Sequence, residues 1–85
     1  MKFNFAYRKG ILYRYHLNHN NILYVLHIVR VNNPHDKDYN KLKYRLSFAD
    51  VNTHKILNDI VRNEVMSTHK EIKSMCIQHI KKSLK

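Results

Sequence analysis

The chain has 85 residues, a hydrophobic fraction of 44%, and 16 Lys and Arg against 6 Asp and Glu, for a net charge of +10. That length fits one small domain, which buries only roughly 60 to 65% of the surface its unfolded chain exposes, and the ordinary apolar content excludes a disordered basic tail as the source of the charge. A single Gly excludes the glycine-rich turns of dinucleotide and P-loop enzymes, and a single Cys excludes an intrachain disulfide and fits a reducing compartment.

Taken in chain order, Phe3, Phe5 and Tyr7 alternate with Lys2, Asn4, Ala6 and Arg8, the period-2 pattern of a half-buried strand. Lys9-Gly10 turns the chain into a second strand, with Ile11, Tyr13, Tyr15 and Leu17 on one face and Leu12, Arg14, His16 and Asn18 on the other. Asn18 to Asn21 reads as another turn, because Asn tolerates left-handed backbone angles. The third strand, Ile22 to Val31, is apolar on both faces. Ile22, Tyr24, Leu26 and Ile28 line one, and Leu23, Val25, Val29 and Val31 the other. Such a run belongs in the middle of a sheet, or under a partner that covers its second face.

A polar loop over Asn32 to Asp38 follows, and then a fourth strand with Leu42, Tyr44, Leu46 and Phe48 inward and Lys41, Lys43, Arg45 and Ser47 outward. From about Asp50 the spacing turns helical, with Leu57, Ile60, Val61, Val65, Ile72, Met75, Cys76 and Ile80 forming a stripe. Asp50 or Asn52 can cap its start. Thr68 and Glu71 have capping-box spacing, which favours a break near Ser67 and two helices over one long one. Cys76 falls among the apolar helix positions, as suits a small buried side chain.

The predicted fold is therefore α+β: a single domain over 1–85, with a four-stranded antiparallel meander in 1–49 and one long or two shorter helices in 50–85 packed on the aromatic sheet face. That packing leaves Lys2, Arg8, Arg14, His16, Lys41, Lys43 and Arg45 on the opposite face. Residues 1–49 hold nine Lys and Arg against two acids, Asp36 and Asp38, both in the loop, so the four predicted strands contain no acid at all. An acid-free basic sheet face suits a polyanion. The expected nucleic-acid contacts, to DNA or RNA, are Arg8, Arg14, Lys41, Lys43 and Arg45, supported by His16 and Arg30. Reversing Lys43 and Arg45 to Glu is expected to abolish binding without unfolding the protein. The strand order with its basic face resembles the sheet-first DNA-binding modules at the N-termini of some tyrosine recombinases. The likeness lies in element order and charge, and no residue role is carried over from it.

Other chemistries find less to build on. The aromatic residues read as core rather than as base-stacking platforms, with Tyr7 and Tyr39 near strand ends as the exceptions. Seven His include no pair at i and i+4, so no metal site is predicted, and no cofactor motif is present. A toxin-type ribonuclease would need His16 beside Arg14 and Lys43. A second reading is a small inhibitor of a host protein or nucleoprotein complex, of the anti-CRISPR kind, and the surplus apolar side chains of the third strand are expected to meet such a partner or a second copy, or else a C-terminal helix that wraps to the second face. Abundant Asn and Lys with scarce Gly, Ala and Pro match the AT-rich coding sequence of low-GC bacteria, their phages and plasmids. No run reaches the ~20 apolar residues of a membrane span, and a cytoplasmic protein is expected.

Overall fold

A computed structural model describes residues 1–30, 35 and 41–83. The elements are β1 (Asn4–Lys9), β2 (Leu12–His19), β3 (Ile22–Arg30), β4 (Leu42–Ala49), β5 (Ile56–Val65) and α1 (His69–Ser83). They form one antiparallel sheet in the order β1-β2-β3-β4-β5, followed by the C-terminal helix. The predicted loop from Asn32 to Asp38, apart from His35, lies outside the described residues, as do Val31, Tyr39 and the last two residues of the chain.

The turns follow from their residues. Gly10 has φ 60° between β1 and β2, and Asn20 and Asn21 have φ 51° and 62° between β2 and β3. Two consecutive left-handed residues make the tight turn that matches the twist of a hairpin. β3 occupies the sheet centre, as its two apolar faces require. On one face Tyr15, Leu17, Tyr24, Leu26, Ile28, Leu42, Tyr44 and Leu46 pack against Ile72, Cys76 and Ile80 of α1. The helix begins with the predicted capping box: the Glu71 amide donates to Thr68 Oγ1 (3.2 Å) and the Thr68 amide to Glu71 Oε1 (3.3 Å). Burial pushes the Cys76 thiol up to about 12. Among the described residues no helix is long and apolar enough to cross a membrane.

Three expectations are corrected. The sheet has five strands rather than four, because residues 56–65 are β5 and not helix, so one 15-residue helix remains in place of a long helix or a pair. Asp50 and Asn52 cap no helix. Asp50 Oδ1 instead accepts from the amides of Asn52 (2.9 Å) and Thr53 (2.8 Å), shaping the β4–β5 loop. Finally, Leu23 and Val25, expected to need a partner, are 1% and 0% exposed within the single chain. They pack with Ala49 and Ile56, while the β4–β5 loop reaches across β3 to touch β2.

Bulges decide which side chains share a face. Ala6 is an unpaired extra residue in β1, between the pairs Phe5 with Tyr15 and Tyr7 with Arg14. It reverses the parity of everything after it. Tyr7 therefore joins Arg14 on the face opposite α1, and Arg8 joins Tyr13 on the helix side. Phe5 stays on the helix side, edge-on to Tyr15, yet 59% exposed at the sheet margin rather than in the core. β5 carries two register shifts against β4, while β2 to β3 and β3 to β4 pair without one.

Candidate nucleic-acid interface

The face opposite α1 is organised in transverse rows. Because paired residues in antiparallel strands point the same way, the register places Tyr7, Arg14, His27, Arg45 and Arg62 in one row, one from each strand. A second row holds Lys9, Leu12, Val29, Lys43 and Glu64, and a third holds Asn4, His16, Val25, Ser47 and Asp59. Leu12, His27, Val29, Lys41, Lys43, Arg45, Arg62 and Glu64 line an open groove of about 910 Å³ in this face.

At one end of the row Arg14 is a clamp. Its Nε donates to His16 Nε2 (2.8 Å), its Nη1 to the Tyr7 hydroxyl (3.4 Å) and its Nη2 to the His54 carbonyl (2.9 Å). The guanidinium thus joins β1, β2 and the β4–β5 loop, and the His16 and His54 rings meet edge to face at 5.2 Å. Since His16 Nε2 accepts a hydrogen bond, its lone pair is engaged. Burial and the Arg14 charge hold the His16 pKa below its ordinary value. His27, half-buried between Arg14 and Arg45, is lowered in the same way, by burial first and then by those two cations.

At the other end the cations meet carboxylates. Arg45 Nε donates to Asp59 Oδ1, Ser47 Oγ donates to the same oxygen (3.1 Å), Arg62 lies 3.9 Å from Asp59, and Lys43 Nζ is 3.4 Å from Glu64. The Arg45 hydrogen bond holds the Asp59 carboxyl below its usual range. The expectation of an acid-free face is therefore corrected: β5 brings Asp59 and Glu64 into it. The described cations of these rows, Lys9, Arg14, Lys43, Arg45 and Arg62, still outnumber those carboxylates.

Among the sequence-derived candidates, the structure brings Arg14, His16, Lys41, Lys43 and Arg45 to this face. It does not bring Arg8 or Arg30. Arg8 lies 5.1 Å over the Tyr13 ring on the helix side and donates to the Gly10 carbonyl (2.9 Å). Arg30 pairs with Leu42, whose side chain faces α1. The ribonuclease constellation does not assemble either. His16 and Lys43 sit two rows apart on strands separated by β3, about 10 Å in strand spacing alone, and His16 Nε2 is occupied by Arg14. Arg62 and His27 were missed, whereas Tyr7 was singled out as lying outside the core. Alternation about Val25 and Val29 could have placed His27, but Arg62 was hidden inside the apparent helix. Among the described residues no group of three or more His, Cys, Asp or Glu comes together as metal ligands would.

The ion pairs change what a charge reversal would do. Putting Glu at Lys43 and Arg45 would set carboxylate against Glu64 and Asp59, so stability would fall along with any binding, and neutral Gln variants are the cleaner probe. Asp59→Asn is expected to tighten polyanion binding several-fold by releasing Arg45 and Arg62 from a competing carboxylate, with a small loss of thermal stability. An anisotropy titration and a thermal melt of the same variant check both halves, and weaker binding would mean that Asp59 is needed to position the two guanidiniums.

Comparison of the chain with protein families, with curated proteins and with solved structures gives no match.

Proposed function

We propose that this chain is a small, non-enzymatic nucleic-acid-binding protein that acts in the cytoplasm and contacts phosphates and bases through the open face of its sheet. One observation carries the reading: Arg14, His27, Arg45 and Arg62 form a row across four adjacent strands, beside a groove that Lys41 and Lys43 also line. Arg45 and Arg62 are one strand repeat apart, about 4.8 Å, and Arg14 is two repeats from Arg45 across the His27 ring, so the row presents spaced charge to a polymer of phosphates. Arg62 and Lys43 have side chains 74% and 54% exposed, against 43% for Arg45. Arg14 serves mainly to hold the scaffold, since its guanidinium already has three partners. The abundance of Asn and Lys with scarce Gly, Ala and Pro supports an origin in a low-GC bacterium or one of its mobile elements.

The test is a fluorescence-anisotropy titration of nuclease-treated protein with labelled oligonucleotides at two salt concentrations. Affinity should fall on the order of tenfold to a hundredfold for a fourfold rise in salt, through counterion release. Arg62→Gln should weaken binding across all sequences and lower the salt slope by roughly one, with the melting temperature nearly unchanged. Absence of binding at low salt overturns the reading. The inhibitor reading would then take its place, supported by Phe5, Tyr7 and Ile11, which are 59%, 44% and 48% exposed at the β1 margin.

A further inference from the structure

Building on that reading, we infer that the ligand is a single strand of nucleic acid, seated in the groove between β2 and β5 with a base over Leu12 and Val29 and its phosphates on Lys43, Arg45 and Arg62. Shape is the first argument. A duplex is read by an element that protrudes, a helix or two-stranded ribbon small enough to enter a major groove about 12 Å wide. Here the cations line a concavity, and a concave wall cannot enter another groove. The groove has a volume of about 910 Å³ and is open to solvent rather than enclosing. It suits a few nucleotides of one strand rather than the side of a helix.

Chemistry gives the second argument. The floor of the groove is Leu12 and Val29, which face each other across β2 and β3, with the half-buried His27 ring alongside. Phosphate gains nothing from such a floor. An unpaired base has an apolar π-face that does, and a duplex keeps that face stacked inside.

The carboxylates supply a third. Glu64 lines the groove and Asp59 borders it among the guanidiniums. A duplex would press backbone phosphates from two strands against this mixed surface. A splayed base instead offers exocyclic amines, for which the Glu64 carboxylate lining the groove is a good acceptor.

The experiment compares single-stranded DNA, single-stranded RNA and the matching duplexes of one length and sequence at one low salt concentration. Single strands should bind at least about tenfold tighter than either duplex, and the DNA and RNA arms identify which sugar is preferred. Val29→Lys adds a cation yet blocks the base seat, so single-strand affinity should fall while the thermal melt reports that the fold is kept. Duplex binding as tight as single-strand binding, or a rise in affinity for Val29→Lys, overturns this inference and leaves the nucleic-acid reading standing. Failure of every oligonucleotide to bind overturns both.

Discussion

Ile72→Ala is expected to lower the thermal midpoint by on the order of 10 to 30 °C. α1 holds to the sheet through few fully buried side chains, Ile72, Cys76 and Ile80, each at most 1% exposed. Truncating the first removes its transfer free energy and leaves a cavity beneath the helix, together about 2 to 5 kcal/mol. In a domain of this size that is a large share of the 5 to 15 kcal/mol a folded protein typically holds. Alanine is the better helix former, so the loss cannot be charged to propensity. Ser74→Ala, on the exposed side of the same helix, is the control and should change stability by less than about 0.5 kcal/mol. A midpoint within a few degrees of the parent protein would mean that α1 is not docked as described.

Mild acid should weaken the fold well before the carboxylates titrate. His16, His27 and His69 all have pKa values lowered from the ordinary 6.5, each chiefly by burial and then by nearby cations. The cations are Arg14 at His16, Arg14 and Arg45 at His27, and Lys73 and Arg30 at His69, while only Asp59 pulls His27 the other way. With folded-state values below the unfolded one, the unfolded chain binds more protons in this window, so stability rises with pH. The contribution is complete above 6.5 and is lost as the pH falls toward the lowered values. Geometry agrees at His16, where protonation would set an N–H against the Arg14 Nε–H that now donates to it. At His69, Nδ1 is hydrogen-bonded to the Tyr15 hydroxyl at 2.8 Å, and the ring packs edge-on against Tyr13. Asp50 and Asp59, both lowered from 3.8, stay charged throughout the window and do not confuse it. Thermal melts at pH 7.5 and 5.5 decide the matter: the midpoint should be clearly lower at the acid value, and equal midpoints would refute the coupling.

Both main misreadings of the sequence have one physical cause. Strict alternation predicts faces only while every residue is paired. β2, β3 and β4 obey it, so Tyr15, Leu17, Tyr24, Leu26, Tyr44 and Leu46 were placed correctly from pattern alone. In β5, register shifts near Leu57 and Ile60 lengthen the same-face step from two residues to three, so that Ile56, Asp59, Arg62 and Glu64 share the open face. A step of three is what an amphipathic helix displays, and Leu57, Ile60, Val61 and Val65 imitated one. Ala6 did the same on a smaller scale in β1, exchanging the sides of Tyr7 and Arg8. Two of the three cations of the row were therefore legible, namely Arg14 and Arg45. Arg62 waited on recognising a strand, and its companion acids Asp59 and Glu64 came with it. The α1 start was legible because Thr68 and Glu71 declare it by local hydrogen bonding, which no tertiary contact has to supply.

The irregular pairing is confined to the two outer strands, β1 and β5, and the inner strands have none of it. Regular outer strands would offer incoming chains an aligned set of free amides and carbonyls, the usual route by which sheets recruit one another into fibrils. Here an approaching strand finds the donors of each margin out of step with its own. The same insertions that disguised the fold in the sequence leave each margin of this β-rich sheet a poorer template for pairing with another chain.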